Sequence, residues 1–185
     1  MLQAWYIDTQ NGECLEQKKM APKYISAEEL YNKTGVEYFK LNVETYKTDG
    51  ILDSIKKERG YSYEDEMVCS EKCLSIDEFE EKKRSFATEH LHSDEEIRFL
   101  LEGAGYFDVR DSVDHWIRIK ICAGDLIILP GGIYHRFEFD SNKHIKMKRL
   151  FSEEPAWQAY NRPADAMPCR QRYMERIARG FAAAN

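Results

Sequence analysis

Two histidines and a glutamate stand close together in the stretch HLHSDEEIRF, residues 90–99. In an extended segment the side chains at positions i and i+2 point to the same face, so His90 and His92 would point the same way. A turn over residues 93–95 would let Glu96 begin the next strand and approach the two imidazoles. Nitrogen and oxygen donors in this combination suit borderline divalent metals. The alternative is a charged loop, because an H-x-H pair alone is a weak signal.

A further candidate ligand, His135, follows about forty residues later in GDLIILPGGIYHRFEF. We interpret LIIL as a buried strand, Pro130-Gly131-Gly132 as a sharp turn, and His135 as the first residue of another strand. Phe137 shares its face at i+2. We interpret the remaining histidines, His115 and His144, as solvated, and the neighbouring acids at positions 94 and 95 as turn and surface groups.

The elements around these residues indicate a mainly β protein. From 88 to 151, short runs rich in Ile, Phe, Val and Tyr alternate with Gly, Asp, Asn or Ser at intervals of roughly ten residues, which favours an antiparallel sandwich or barrel. EGAG (102–105) and DSNK (140–143) are typical of turns. Capping residues and glycines predict peripheral helices at 27–34, 51–60 and 75–86, and the tail is predicted to end in a helix.

The combined motifs resemble the two-part signature of the cupins, which implies a cupin-type double-stranded antiparallel β-barrel, or jelly roll, with a few peripheral helices. The residues that match are His90, His92, Glu96 and Gly103 in the first motif, and Gly124, Pro130, Gly132 and His135 in the second. Phe139 stands where the second motif ends in asparagine. That asparagine is not a metal ligand in cupins, so the departure does little to weaken the metal assignment.

Longer segments resemble one cupin family, the acireductone dioxygenases of methionine salvage. The similar segments are EHLHSDEEIRFLLEGAGYFDVRD, LPGGIYHRF, LFSEEPAW, YNRPAD, AWYID, EYFKL and KKERGYSYED. The resemblance implies one divalent metal per chain, Fe²⁺ or Ni²⁺, held by His90, His92, Glu96 and His135. The substrates would be O₂ and an acireductone, a dihydroxy-keto-pentene with a methylthio group. The iron form would give formate and the keto-acid precursor of methionine, and the nickel form would give formate, CO and methylthiopropionate.

Four further residues are candidates for the substrate pocket. Arg98 shares the strand face of Glu96, so its guanidinium could stabilise an anionic substrate; the alternative is a surface salt bridge. Phe137 could form a wall of the pocket. Arg149 and Trp157 match positions that the family places near the pocket, although each could equally pack elsewhere or lie on the surface.

Two other functions stay open at this point: a different metal-dependent cupin enzyme, and a non-catalytic cupin that acts as a binding protein. The first would not be expected to share Arg98 together with the front third of the chain. The second would be expected to lack ligands, whereas all four candidates are present.

The whole chain sets outer bounds on the function. Its 185 residues suit a single domain, 1–185, with a mixed α/β front (1–87), a β-barrel core (88–151) and a C-terminal segment (152–185). The net charge of −6 argues against a nucleic-acid binder. No signal peptide or membrane span is evident. Five scattered cysteines favour a reducing cytoplasm, with nuclear entry open in a eukaryote, and the resemblance favours a monomer.

Overall fold

A computed structural model describes residues 1–7, 23–154 and 158–181. The strands in these ranges are β1 (Gln3–Ile7), β2 (Tyr24–Ile25), β3 (Glu37–Lys40), β4 (Tyr63–Ser70), β5 (His90–Leu91), β6 (Glu96–Arg110), β7 (Trp116–Cys122), β8 (Asp125–Leu129), β9 (His135–Phe139), β10 (His144–Phe151) and β11 (Tyr160–Asn161). The helices are α1 (Ala27–Thr34), α2 (Ile51–Arg59), α3 (Ile76–Ala87) and α4 (Pro168–Arg179). The predicted mainly β class with a few helices is confirmed.

The strands form two antiparallel sheets that share β6. One sheet has the order β11-β5-β9-β6-β7-β1-β2. The other has the order β4-β10-β6-β8-β3. The first half of β6 pairs with β8 and β10, and its second half pairs with β7 and β9. The long strand therefore joins the two walls of the barrel.

A β-bulge interrupts the pairing of β6 with β10. Lys146 lies opposite Glu102, but the next residue, Met147, lies opposite Leu100, so Leu101 is an extra residue on β6. Such an insertion changes which face the following side chains occupy. Glu96 before the bulge and Phe107 after it both face the barrel interior, although one position is even and the other odd.

The predicted turn at EGAG is wrong, because residues 102–105 lie inside β6. Gly103 has a φ of 83°, and a Cβ there would lie 1.9 Å from the carbonyl oxygen of His144. The glycines therefore serve a bend and a close approach within one strand rather than a chain reversal. The predicted turn at DSNK is confirmed between β9 and β10.

The helices begin and end close to where the sequence predicts. Ser26 accepts a hydrogen bond from the Glu29 amide at the start of α1. Ser75 and Glu78 form a complete capping box on α3. Gly60, in the left-handed conformation, ends α2. The sequence did not predict β4. The structure shows it as a strand at the edge of the second sheet, beside β10.

Both faces of the second sheet are buried near the site. Leu100 and Met147 face the main core inside the barrel. Ile97 and Phe99 face a second cluster that includes Leu52 and Ile55 of α2. The strand that carries Glu96 and Arg98 is therefore held rigidly from both sides. No helix in the described ranges is long and apolar enough to cross a membrane.

Candidate metal centre

Four buried side chains converge inside the barrel: His90, His92, Glu96 and His135. One potential ligand atom from each lies within 4.8 Å of all the others. His90 pairs directly with His135 across β5 and β9, and their ring centroids are 4.5 Å apart. The structure thus brings together all four residues that the sequence singled out as ligands.

Backbone carbonyl groups orient the three imidazoles. The Nδ1 atom of His90 lies 2.6 Å from the Thr88 oxygen, that of His92 lies 2.7 Å from the Gln158 oxygen, and that of His135 lies 3.0 Å from the Ile133 oxygen. A carbonyl can only accept, so each Nδ1 carries the proton and each Nε2 presents its lone pair to the centre. This pattern of outward hydrogen bonds is typical of metal-binding histidines.

The turn before β9 is held close to His92 and to α4. The Gly132 amide donates a 2.9 Å hydrogen bond to the His92 carbonyl. A Cβ at Gly132 would lie 2.4 Å from the Cys169 carbonyl oxygen, so only glycine lets α4 pack against this turn. The C-terminal helix thereby supports the loop that places His135.

The surroundings of the cluster lower the pKa values of two of its members, which leaves their electron pairs free to bind a metal. Burial lowers the pKa of His90 to about 4, and the nearby His135 contributes to the shift. Burial alone would raise the pKa of Glu96, but the Arg98 charge and the contacts with His135 and His92 hold it well below its usual value. His90 is therefore neutral and Glu96 ionised at neutral pH, as metal ligation requires.

The cluster lies at one side of a pocket that opens between the two sheets and α3. Its charged lining comes from the four converging residues together with Arg98 and Arg149. Its apolar lining comes from both sheets and α3: Met67, Phe86, Phe107, Phe137, Ile145 and Met147. The pocket can therefore hold a ligand with an anionic head and an apolar tail.

Three of the four further candidate residues line the pocket, and the fourth is not described by the structure. Arg98 is 4% exposed, so it is not a surface salt bridge, and its Nη1 donates to the Ile97 carbonyl at 2.9 Å. Arg149 lines the pocket and forms two hydrogen bonds with Asp65, at 2.7 and 2.5 Å. Phe137 lines the pocket, and Trp157 lies outside the described residues.

Sequence reasoning missed Met67, Phe86 and the carbonyl group of Gln158. Met67 lies on β4, whose sequence YEDEMVCS is too polar to indicate a wall of a pocket. Phe86 belongs to the predicted α3, and its helical position facing β9 could have suggested contact with Phe137. A backbone acceptor such as the Gln158 oxygen leaves no signal in residue types. The solvated placement of His115 agrees with its 69% exposed side chain.

Comparisons with known proteins agree on one family. The model of the family described as "ARD/ARD' family" matches residues 3–159. The chain is 51% identical over 182 residues to the acireductone dioxygenase of Drosophila melanogaster, covering 98% of this chain and 97% of that protein. It is 50% identical to the Ixodes scapularis acireductone dioxygenase, with 98% and 99% covered, and 44% identical to that of Gallus gallus, with 96% and 98% covered.

A solved structure shares the fold. The acireductone dioxygenase from Bacillus anthracis, which holds a cadmium ion in its active center, matches with a TM-score of 0.67 and 22% identity. The match covers 86% of this chain and 97% of that one. The predicted cupin-type barrel is thereby confirmed.

Proposed function

The chain belongs to the ARD/ARD′ family, and we propose that its buried three-histidine, one-glutamate cluster is the centre at which it cleaves an acireductone with O₂. The observation that carries the proposal is the cluster itself. The Nδ1 atoms of its three histidines all bond to carbonyl groups outside the cluster, and the adjacent pocket has a charged side and an apolar side. A different cupin enzyme or a non-catalytic cupin is disfavoured by about 50% identity to acireductone dioxygenases over nearly the whole chain.

The donor set fits one divalent ion held by His90, His92, Glu96 and His135. We propose Fe²⁺ or Ni²⁺, because both accept mixed imidazole and carboxylate ligands and nickel binds such sites more tightly than ferrous iron. When bound, the ion supplies Lewis acidity and coordination positions for a substrate that chelates through two oxygens. The metal that is loaded would decide between the product branches expected for the family.

The charges around the pocket favour an anionic substrate. Glu96 is balanced by Arg98, whose Nε lies 3.3 Å from Oε1 of Glu96, and Asp65 is balanced by Arg149. The charges of these four side chains sum to zero, so a bound divalent ion would give the centre a net charge of +2. That charge matches an acireductone that has lost both enediol protons. We propose that Arg98 and Arg149 stabilise the oxyanions of the substrate.

The apolar half of the pocket would bind the methylthio tail. Two methionines and three phenylalanines lie in its wall, and thioether and aromatic groups pack well against sulfur. Filling this half with the tail excludes water from the charged half and fixes the head in one orientation.

The test is to prepare iron-loaded and nickel-loaded protein separately, supply acireductone and O₂, and follow substrate absorbance, formate and CO. Consumption of substrate by either form supports the proposal, and CO from the nickel form alone would assign the branches. If neither form consumes acireductone, the proposed function is wrong. We further propose that the enzyme acts as a cytoplasmic monomer, with nuclear entry open, and light scattering of the purified chain tests the monomeric state.

A further inference from the structure

We infer that Gly105, which does not line the pocket, sets the length of substrate tail that the pocket accepts, because its missing side chain makes room for the ring of Phe137. The inference rests on the proposed function and assigns tail specificity to a residue of β6. Gly105 is buried within the strand and pairs with Phe139 of β9.

The Phe137 ring leans along the sheet onto Gly105. Phe137 pairs with Phe107, two residues farther along β6, so Gly105 is its diagonal neighbour across the two strands. A Cβ at position 105 would lie 2.3 Å from Cζ and 2.8 Å from Cε2 of Phe137. Real carbon contacts do not come this close, so the ring occupies the space that a side chain at 105 would need.

Three aromatic rings and the pocket lie around the Phe137 ring. Phe86, Phe107 and Phe139 surround it, with ring centroids 6.2, 5.0 and 5.4 Å away. Phe137 also lines the pocket, so we expect a displaced ring to move toward it. Restoring ordinary contact requires a shift of about 1 Å, since a carbon at 2.3 Å must retreat beyond roughly 3.4 Å.

A ring displaced in this way would shorten the space for the tail. Phe137 belongs to the apolar lining, whereas the charged groups that face the substrate head lie on other strands, apart from His135 on the same strand. The loss would therefore fall on the binding of long tails and leave the metal and the short-tailed reaction intact. A binding loss of this kind raises KM more than it lowers kcat.

The experiment uses the metal-loaded full chain with acireductones that share one head group and carry a methyl, the methylthio or a longer alkyl tail. The proteins are wild type, Gly105→Ala, Phe137→Leu, the double variant and, as matched control, Phe181→Leu, which changes a buried ring that contacts Tyr31 and Tyr173 away from the pocket. For Gly105→Ala we expect the KM ratio of the longest to the methyl tail to rise about tenfold, with metal content unchanged, because one methylene in a tight pocket is worth that much. Phe137→Leu should lower the ratio, and Phe181→Leu should not change it.

The double variant tests the route of the effect. With the ring removed, the methyl group added at position 105 no longer has a ring to displace into the pocket, so the double variant should show the KM ratio of Phe137→Leu. A structure of Gly105→Ala provides a readout that is independent of turnover, and we expect the ring to lie about 1 Å farther into the pocket, the distance that restores ordinary contact.

Two outcomes would overturn the inference. One is an unchanged KM ratio in soluble Gly105→Ala, and the other is an unchanged ratio in Phe137→Leu. The second variant also decides the matter if Gly105→Ala does not fold, since a Cβ there would also lie 2.9 Å from the Glu138 carbonyl oxygen. A wild-type protein that consumes no acireductone of any tail length would instead reject the proposed function.

Discussion

The two carboxylate oxygens of Glu96 contact different partners: Oε1 faces Arg98, and Oε2 faces two of the imidazoles. Arg98 Nε lies 3.3 Å from Oε1, whereas Oε2 lies 3.0 and 3.2 Å from the Nε2 atoms of His135 and His92. The arginine therefore fixes the carboxylate from the side opposite the imidazoles. One oxygen is left directed at the centre of the cluster.

Removing one member of the cluster should abolish stable metal binding. Glu96→Ala and His135→Ala each delete a donor from a buried site whose remaining ligands cannot move to replace it. We expect metal content after gel filtration to fall from about one ion per chain to near zero, measured by plasma mass spectrometry. His115→Ala, which changes an exposed histidine, is the control and should keep its metal. Full metal occupancy in Glu96→Ala would show that the ligand set is wrong.

Replacing Arg98 should separate chemistry from metal binding. Arg98→Met keeps much of the side-chain volume and removes the positive charge beside Glu96, so we expect retained metal and a loss in kcat of about 10²–10³-fold. Arg98→Lys should recover part of the activity, because the charge returns without the bond from Nη1 to the Ile97 carbonyl. If both variants lose metal, Arg98 acts by supporting Glu96 rather than by stabilising substrate.

Gly103 should tolerate no side chain. In Gly103→Ala the new methyl group would meet the His144 carbonyl oxygen at 1.9 Å on a backbone with a φ of 83°. We expect an unfolding free energy lower by about 3 kcal/mol or more, from steric strain added to the conformational penalty. Gly60→Ala is a matched control, since its φ is 71° but no atom lies within 4 Å of the added methyl, and it should cost about 1 kcal/mol. Equal losses in urea unfolding would contradict this expectation.

Asp65 should stabilise the protein in a pH-dependent manner. Its hydrogen bonds with Arg149 hold the pKa of the carboxyl below its usual value, despite partial burial. A carboxyl with a lowered pKa stabilises the fold above its unfolded pKa of about 3.9, and this stability is lost as the pH falls through the folded value. Asp65→Asn should therefore be less stable than wild type at pH 7, and the difference should shrink below about pH 4.

Thermal unfolding across this pH range provides the measurement for Asp65→Asn. Glu81→Gln, at an exposed position of α3, is the control and should follow the wild type throughout. A difference between Asp65→Asn and wild type that stays constant down to about pH 3 would mean that the ion pair with Arg149 does not stabilise the fold.

Local signals predicted the helices and most strands well. Ser75 with Glu78 and Gly60 mark helix ends by chemistry that acts within a few residues. His90 and Glu96 could be placed because alternation along strands fixes the faces of side chains. His135 was already a candidate from its position after the Pro130-Gly131-Gly132 turn, and the resemblance joined it to the other three as a ligand.

Features that depend on a second strand could not be predicted. EGAG has the composition of a turn, and only the close approach of β10 at His144 shows why Gly103 lies within a strand. Met67 enters the pocket because β4 pairs with β10, a pairing that the acidic sequence of β4 conceals. The Gln158 carbonyl belongs to the backbone, which has this group at every residue, so residue type cannot reveal its role.

The extra residue in β6 determines which face of the sheet each later side chain of the strand occupies. Loss of one residue near Leu101 would reverse the two faces of the strand beyond it, so Phe107 and Val109 would turn from the interior to the exterior. Asp108 would turn inward, away from its partners Arg118 on β7 and Arg136 on β9, while Glu96 and Arg98 would stay where they are. We therefore expect insertions and deletions at other places in this barrel, because a change of one residue here would reverse the faces of all the side chains in the second half of β6.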